Sequence, residues 1–150
     1  MTITDTHTHL YSEEFDQDRA EVINRAIENG ITRFFIPAID SNCTQKMYDL
    51  EKQFPENVFL MMGLHPCYVK ENYLDELALV ERELSQRKFY AVGEIGIDLY
   101  WDKSTLEIQK IAFKKQIQLA KQYPVSNYKK SLAMLVHNCP KSNEIFQINQ

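Results

Sequence analysis

Four short apolar runs, each followed by a stretch with helical periodicity, constrain the fold of this chain more than any other feature. The first run, residues 2–10, begins rich in Ile and Thr, and the others cover 31–39, 58–64 and 89–97; the helical patterns cover 15–29, 42–54, 74–86 and 104–122. The runs are continuous rather than alternating, as expected of strands that are buried on both faces of a parallel sheet. Successive strand–helix units favour right-handed crossovers between parallel strands. The sequence therefore predicts an α/β fold, and its periodicity leaves a barrel and an open sheet as alternatives.

The fourth helical pattern carries a capping box at its start, in the segment Ser104-Thr105-Leu106-Glu107. A hydroxyl and a carboxylate three residues apart can bond reciprocally to free backbone N–H groups in the first turn of a helix. We therefore expect the fourth helix to begin with this pair of side-chain caps.

The chain changes character near residue 121. Residues 1–120 contain 13 basic and 20 acidic side chains, whereas residues 121–150 contain four basic and one acidic. We predict one unit over residues 1–122 and a divergent tail over 123–150, with a fifth strand at 132–136 and a short helix at 142–148. Translation of the tail out of the ancestral reading frame is an alternative cause of the change.

Composition excludes several classes of protein. A hydrophobic content of 44%, with 8 Phe, 8 Tyr and one Trp, supplies a core and argues against a disordered chain. No stretch approaches the roughly 18 consecutive apolar residues that a membrane-spanning helix needs. The glycines form no phosphate-binding loop or dinucleotide fingerprint, and no basic patch indicates stable binding of nucleic acid. Three scattered cysteines and a start without a secretory pattern predict a reducing, cytoplasmic setting.

Two histidines end the first apolar run, in the segment Asp5-Thr6-His7-Thr8-His9. On a strand, residues two apart project from the same face, about 6–7 Å apart along the chain. Two neutral imidazoles at that spacing can converge on one divalent cation, and Asp5 can orient a ring from behind. The alternative is a pair of partly buried strand histidines that bind nothing.

One carboxylate lies inside the fourth apolar run, at Glu94 of Val92-Gly93-Glu94-Ile95-Gly96-Ile97-Asp98. A lone buried carboxylate must be paired, protonated or bound to metal. The flanking Gly93 and Gly96 indicate a close approach of backbone. Glu94 is therefore predicted to be a metal ligand or the partner of a basic residue from elsewhere in the fold.

Four further polar residues follow apolar runs. His65, in Gly63-Leu64-His65-Pro66, is a ligand, a substrate contact or a histidine at the rim of the sheet. Asp98 and Tyr100 follow Glu94 into a loop, where they bind substrate or stabilise the loop itself. We assign His65, Asp98 and Tyr100 to substrate binding. His137 follows the predicted fifth strand and by itself is typical of a strand end.

Taken together, these motifs resemble the TatD family. The resemblance rests on Asp5-Thr6-His7-Thr8-His9-Leu10, on Gly63-Leu64-His65-Pro66 and on residues 91–102, in order and at family-like spacing. Residues 109–120 are similar to the family's helix after the glutamate strand, so the resemblance covers about residues 3–122. TatD proteins are metal-dependent deoxyribonucleases of the amidohydrolase-like TIM-barrel group. The implied fold is a partial (β/α)8 TIM barrel with four to five βα units.

The resemblance also implies a site and a reaction. His7 and His9 would bind one divalent ion and Glu94, as the catalytic carboxylate, would bridge it to a second; Mg²⁺, Mn²⁺ and Zn²⁺ are the candidate ions. The family hydrolyses phosphodiesters, typically from a 3′ end, so DNA or another phosphodiester would be a transient substrate. Two such cations polarise a phosphoryl oxygen and lower the pKa of an attacking water.

The chain departs from the family pattern after residue 122. The family takes further ligands from a fifth-strand His, a sixth-strand His and an Asp near the eighth strand. His137 aligns with the first of these, with extra residues accommodated within 124–133, and the other two have no counterpart. Because a complete barrel needs about 250 residues, we expect a C-terminally truncated chain.

Three hypotheses about function follow from this departure. The first is a TatD-like DNase of the 3′ exonuclease type, active or inactivated by truncation. The second is another phosphoesterase of the His-x-His type. The third is a non-catalytic, metal-binding half-barrel, whose open strand edge would allow self-association.

Overall fold

The computed structural model describes residues 3–123 and 136–137. Its main sheet has four parallel strands in chain order: β1 (Ile3–Asp5), β2 (Ile31–Pro37), β3 (Val58–Met62) and β4 (Ala91–Val92). A second parallel ladder joins β5 (Ile95–Gly96) to β6 (Val136–His137). The helices that follow β1, β2, β3 and β5 are α1 (Arg19–Glu28), α2 (Thr44–Gln53), α3 (Tyr73–Gln86) and α4 (Leu106–Gln122). The sheet curls into a half-barrel, so the predicted α/β fold and partial TIM barrel are confirmed.

The core lies between this sheet and its helices. Ile36 of β2 and Leu60 of β3 are direct partners across the parallel ladder, and they are 0% and 1% exposed. Each helix turns an apolar face toward the strands; the large apolar side chains buried there are Ile23, Met47, Leu50, Leu77, Val80, Leu84, Phe113 and Leu119. Burial on both faces explains why β3 and β4 are continuously apolar, whereas β1 has no buried residue.

Two of the predicted strands differ from the observed ones. The first strand ends at Asp5, so His7 and His9 lie in the loop after β1 and not on a strand. The fourth apolar run is divided into β4 and β5, with Glu94 between them. The run is divided because its parts bond to different partners. Strand β4 pairs with β3, and β5 pairs with β6. Between them, the backbone N–H of Glu94 donates to the carbonyl of Ala38.

The predicted capping box is wrong. Helix α4 begins at Leu106, its N-cap residue is Thr105, and no side chain caps it. The Asp102 carboxylate instead accepts hydrogen bonds from the backbone N–H and the hydroxyl of Ser104. A short Asp side chain just before a helix competes effectively for nearby donors in this way.

Most of the predicted tail lies outside the described residues. This applies to residues 132–135 of the predicted fifth strand and to the whole predicted helix at 142–148, while β6 occupies Val136–His137. Helix α4 ends at Gln122, and the boundary between a unit over 1–122 and a tail over 123–150 stays a prediction. Among the described residues, none of the helices has the length and apolar character needed to cross a membrane.

Gly63, just after β3, marks a close approach between two segments of backbone. A Cβ atom at this position would lie 2.9 Å from the carbonyl carbon of Gly93 and 3.0 Å from the Cγ2 atom of Ile95. The chain after β3 therefore packs against the chain between β4 and β5 at a distance that only glycine permits.

We expect Gly63→Ala to lower the free energy of unfolding by about 1–3 kcal/mol, because backbone at Gly93 cannot move aside as a flexible side chain would. Urea denaturation followed by circular dichroism measures the change. Glu21→Ala, at an exposed position of α1, is the control and should leave stability nearly unchanged. An equal effect of the two substitutions would contradict the close approach.

Candidate metal centre

The C-terminal end of β2 and the two residues after it hold the segments that carry the candidate site. The carbonyl of Phe35 accepts from the N–H of Thr8 at 3.2 Å, and that of Ala38 accepts from the N–H of Glu94 at 3.1 Å. The carbonyl of Ile39 accepts from the N–H of His65 at 2.9 Å. Three separate loops are thus attached to one stretch of chain, which brings four of the predicted site residues to one edge of the sheet.

His7, His9 and Glu94 form a compact cluster at this edge. The two histidine Nε2 atoms lie 3.1 Å apart, and the Oε2 atom of Glu94 lies 3.2 Å from that of His7 and 3.6 Å from that of His9. The backbone N–H of His7 donates to the Asp5 carboxylate at 3.0 Å, so Asp5 shapes the loop. The rings of His7 and His9 converge because the loop after β1 turns, and not because the two residues project from one face of a strand.

The donor atoms fit a single divalent ion. Ligands about 2.1 Å from one ion lie about 3.0 Å apart at right angles and about 3.4 Å apart at tetrahedral angles. The three observed separations of 3.1, 3.2 and 3.6 Å are close to this range. Two imidazole nitrogens and a carboxylate oxygen are also a donor set that takes Zn²⁺, Mn²⁺ and related ions.

His65 contacts the same carboxylate through its other oxygen. Its Nε2 atom lies 3.3 Å from Glu94 Oε1, and its Nδ1 atom accepts from the backbone N–H of Cys67 at 3.1 Å. The accepted bond leaves the proton of a neutral ring on Nε2. His65 therefore donates to Glu94 and orients it.

Glu94 is ionised in this setting. It is 3% exposed, and burial alone raises the pKa of its carboxyl group. The hydrogen bond from His65 is the largest of the histidine contributions that outweigh burial and hold this pKa well below its ordinary value. Burial also lowers the pKa of His7 more than Glu94 raises it, so the His7 ring is neutral at neutral pH, as a metal ligand must be.

The loop after β5 carries the other predicted substrate contacts. Asp98 is 2% exposed, and its Oδ1 atom accepts from the backbone N–H groups of Tyr100 and Trp101 at 3.1 and 3.0 Å. Tyr100 and Trp101 are 80% and 76% exposed. Asp98 therefore shapes the loop, which presents two aromatic side chains to solvent.

The structure places only the backbone of His137. In the ladder between β5 and β6, His137 is the register partner of Gly96, two residues after Glu94. No described contact links His137 to the cluster, and its role as a ligand stays a prediction.

Sequence reasoning missed two buried glutamines on α4. Gln116 bonds to both backbone groups of Leu64, accepting from its N–H at 2.7 Å and donating to its carbonyl at 3.1 Å. Gln109 accepts from the N–H of Asp98 at 2.8 Å. One helix thus holds the loops of His65 and Asp98. The available signal was their position on the apolar face of α4, because a polar residue on such a face needs a buried partner.

Tyr11 was also missed. It is 3% exposed, and its hydroxyl lies 2.8 Å from His9 Nδ1 and 3.0 Å from the carbonyl of Pro37. No sequence pattern points to it, because its second partner is 26 residues away.

A curled parallel α/β sheet with histidine and carboxylate side chains at the carboxyl ends of its strands defines a TIM-barrel-like protein with a candidate metal centre, since such barrels carry their sites at this end. The sequence model of the family described as "TatD related DNase" matches residues 4–130. The chain belongs to this family.

Individual relatives agree with the family. The chain is 30% identical to the uncharacterized metal-dependent hydrolase YabD of Bacillus subtilis, over 96% of this chain and 53% of that protein. It is 30% identical to the 3'-5' ssDNA/RNA exonuclease TatD of Erwinia tasmaniensis, over 95% and 52%. The crystal structure of YjjV, a TatD homolog from Escherichia coli, matches with a TM-score of 0.74 and 29% identity, over 81% of this chain and 47% of that one. The chain spans about half the length of these relatives.

We expect Gln116→Met to lower the free energy of unfolding by about 1–3 kcal/mol, because it leaves the buried N–H and carbonyl of Leu64 without their partner. Gln118→Met is the matched control, since Gln118 is exposed on the same helix. Urea denaturation of both variants measures the difference. Equal stabilities would show that Gln116 does not hold the loop after β3.

Proposed function

We propose that this chain binds divalent metal ions through His7, His9 and Glu94 and hydrolyses phosphodiester bonds of single-stranded nucleic acid from a 3′ end. The observation that carries the proposal is the set of three ligand atoms 3.1–3.6 Å apart. Membership of the TatD-related DNase family and similarity to a protein named 3'-5' ssDNA/RNA exonuclease support the reaction type.

The number of ions and the ligand set form part of the proposal. Glu94 has two carboxylate oxygens directed to different neighbours, with Oε2 beside His7 and His9 and Oε1 beside His65. A second ion would be held by Glu94 together with His137, whose backbone is in register with Gly96. Mg²⁺, Mn²⁺ and Zn²⁺ are the candidate ions.

The chemistry is divided between the metal and the chain. A bound divalent ion supplies polarisation of a phosphoryl oxygen and a lowered pKa for an attacking water. Glu94 serves as the catalytic carboxylate in this scheme, and His65 holds it in place through the contact with Oε1. A fixed hydrogen bond such as the one from His65 to Glu94 stabilises charge more strongly in a partly buried site than in water.

Substrate contacts are proposed for the rim of the site. His65 contacts the Glu94 carboxylate and could also bind a phosphate group of a substrate at the site. Asp98 holds the loop that exposes Tyr100 and Trp101. Exposed aromatic rings bind unpaired bases by stacking, without regard to their sequence. DNA is therefore proposed as a transient, single-stranded substrate.

A second candidate function is metal binding without hydrolysis. The described residues bring three ligand side chains into one cluster, a number sufficient to hold an ion. This chain would then bind Mn²⁺ and release no nucleotides.

We expect the chain to release nucleotides from a 5′-labelled single-stranded oligonucleotide in Mg²⁺ or Mn²⁺, and to lose activity when EDTA is added. Glu94→Gln should lower the rate about 100-fold or more, because several kcal/mol of metal-dependent stabilisation are removed. Glu56→Gln, at an exposed position, is the matched control and should leave the rate unchanged. Calorimetry with Mn²⁺ accompanies the assay.

The outcomes separate the two functions. Mn²⁺ binding without nucleotide release, in a folded chain, supports the non-catalytic function. Activity that survives Glu94→Gln contradicts the proposed site. Loss from the 5′ end contradicts the proposed polarity alone.

We also propose that the chain self-associates through the edge of its sheet. Among the described residues, β1 pairs with β2 alone, and Ile3 of β1 is 39% exposed. Unpaired edges are templates for pairing with a second chain.

The free thiols of Cys43 and Cys67 are in keeping with the proposed cytoplasmic setting.

We expect Ile3→Lys to shift the chain toward monomer, because a charged side chain on an edge strand opposes pairing. Sedimentation velocity at several protein concentrations measures the shift. Leu74→Lys is the control, since Leu74 is an exposed apolar residue of α3, away from the edge. A wild-type chain that stays monomeric at every concentration would overturn the proposal.

A further inference from the structure

Tyr11 occupies a buried position between the candidate metal centre and the end of β2. Its ring makes an edge-on contact with the ring of His9, with 5.5 Å between the centroids. Its hydroxyl oxygen lies 2.8 Å from His9 Nδ1 and 3.0 Å from the carbonyl oxygen of Pro37. The loop that carries both residues is held by Arg19, which donates to the carbonyls of Leu10 and Ser12 at 2.7 and 2.9 Å.

The position of the hydroxyl proton follows from the two partners. A carbonyl oxygen can only accept, so the single proton of the Tyr11 hydroxyl points to Pro37. The sulfur of Cys43 also borders this hydroxyl, but a thiol sulfur is a weak acceptor and does not replace a carbonyl. The hydroxyl oxygen then offers only lone pairs to His9. A contact of 2.8 Å is favourable only when His9 Nδ1 carries the ring proton.

The consequence for His9 lies at the opposite side of its ring. With the proton on Nδ1, the Nε2 atom of a neutral imidazole has a free lone pair. That atom faces His7 Nε2 at 3.1 Å and Glu94 Oε2 at 3.6 Å. Metal-binding histidines commonly donate their other N–H to a protein acceptor, which sets the tautomer and orients the ring.

His65 shows the opposite arrangement beside the same carboxylate. The backbone N–H of Cys67 donates to its Nδ1 atom at 3.1 Å, so the ring proton is on Nε2 and points to Glu94 Oε1. Two histidines next to one carboxylate thus differ in tautomer because different groups face their Nδ1 atoms. His9 is set up as a ligand and His65 as a donor.

We infer that Tyr11 is a positioning residue that selects the metal-binding tautomer of His9, acting through the hydrogen bond chain from His9 Nδ1 to the Tyr11 hydroxyl to the carbonyl of Pro37. This inference rests on the metal centre proposed above. It assigns to Tyr11 a role that neither its ring packing nor its burial requires, since both would be the same in phenylalanine.

The first test reads the tautomer directly. Long-range ¹H–¹⁵N correlation spectra of the ¹⁵N-labelled chain without metal, at about pH 8 where ordinary imidazoles are neutral, report which ring nitrogen carries the proton. The His9 signals are assigned with a His9→Gln variant. We expect the His9 proton on Nδ1 in the wild type, and partial or complete transfer to Nε2 in Tyr11→Phe. A wild-type His9 with its proton on Nε2 overturns the inference, even if Tyr11→Phe fails to fold.

The second test measures affinity for Mn²⁺ by calorimetry. We expect Tyr11→Phe to weaken binding about 10–100-fold, the usual effect of removing a group that orients a ligand. Tyr48→Phe is the matched control, because it removes a tyrosine hydroxyl that donates to Glu83 on α3; its affinity should equal that of the wild type. Equal affinities of Tyr11→Phe and the wild type overturn this inference and leave the proposed metal centre standing. A folded wild type that binds no Mn²⁺ overturns both.

Discussion

The candidate site depends on the carbonyl groups at the C-terminal end of β2. Alternate carbonyls of a strand in a parallel sheet point to opposite neighbours. Phe35 and Pro37 therefore bond to the loop after β1, through Thr8 and the Tyr11 hydroxyl, and Ala38 bonds to Glu94 on the other side. The candidate ligands come from distant parts of the chain, and the carbonyls at one strand end bond to the loops that carry them.

The curl of the sheet matters as much as this attachment. Strands β1 and β4 are the first and last of four, and three spacings of about 4.8 Å would separate them by about 14 Å in a flat sheet. The Nε2 atom of His7 and the Oε2 atom of Glu94, on side chains that follow β1 and β4, lie 3.2 Å apart. The curl of the half-barrel thus helps to bring three candidate ligand atoms together, and the chain after β3 closely approaches the chain between β4 and β5 at Gly63.

The site also has to compensate a buried carboxylate. Glu94 is 3% exposed, and an unpartnered charge at that depth would be strongly destabilising. His65, His7 and His9 surround it; the Cys67 N–H contacts His65 Nδ1, the Tyr11 hydroxyl contacts His9 Nδ1, and the His7 ring lies edge-on to that of His9. Helix α4 contributes from a distance, since Gln116 holds the chain just before His65. The ordered polar contacts therefore extend well beyond the ligands.

The sequence by itself determined the α/β class, the four strand–helix units, the identity of the residues that converge and the family. Continuous apolar runs report burial directly, and histidines and a glutamate at their ends report chemistry. Periodicity could not show that the first strand stops at Asp5, that the fourth run divides at Glu94, or that Asp102 displaces the predicted capping box.

Only the tertiary structure shows which group faces the Nδ1 atom of each histidine beside Glu94. The tautomers of His9 and His65 depend on what faces each Nδ1 atom. The group that faces His9 Nδ1 is the Tyr11 hydroxyl, which in turn bonds to the carbonyl of Pro37 on β2. Strand pairing and the turn of the loop after β1 set the position of that carbonyl relative to Tyr11. The local sequence does not predict a hydrogen-bond partner of this kind, because a hydrogen bond between distant segments forms only when the sheet brings those segments together.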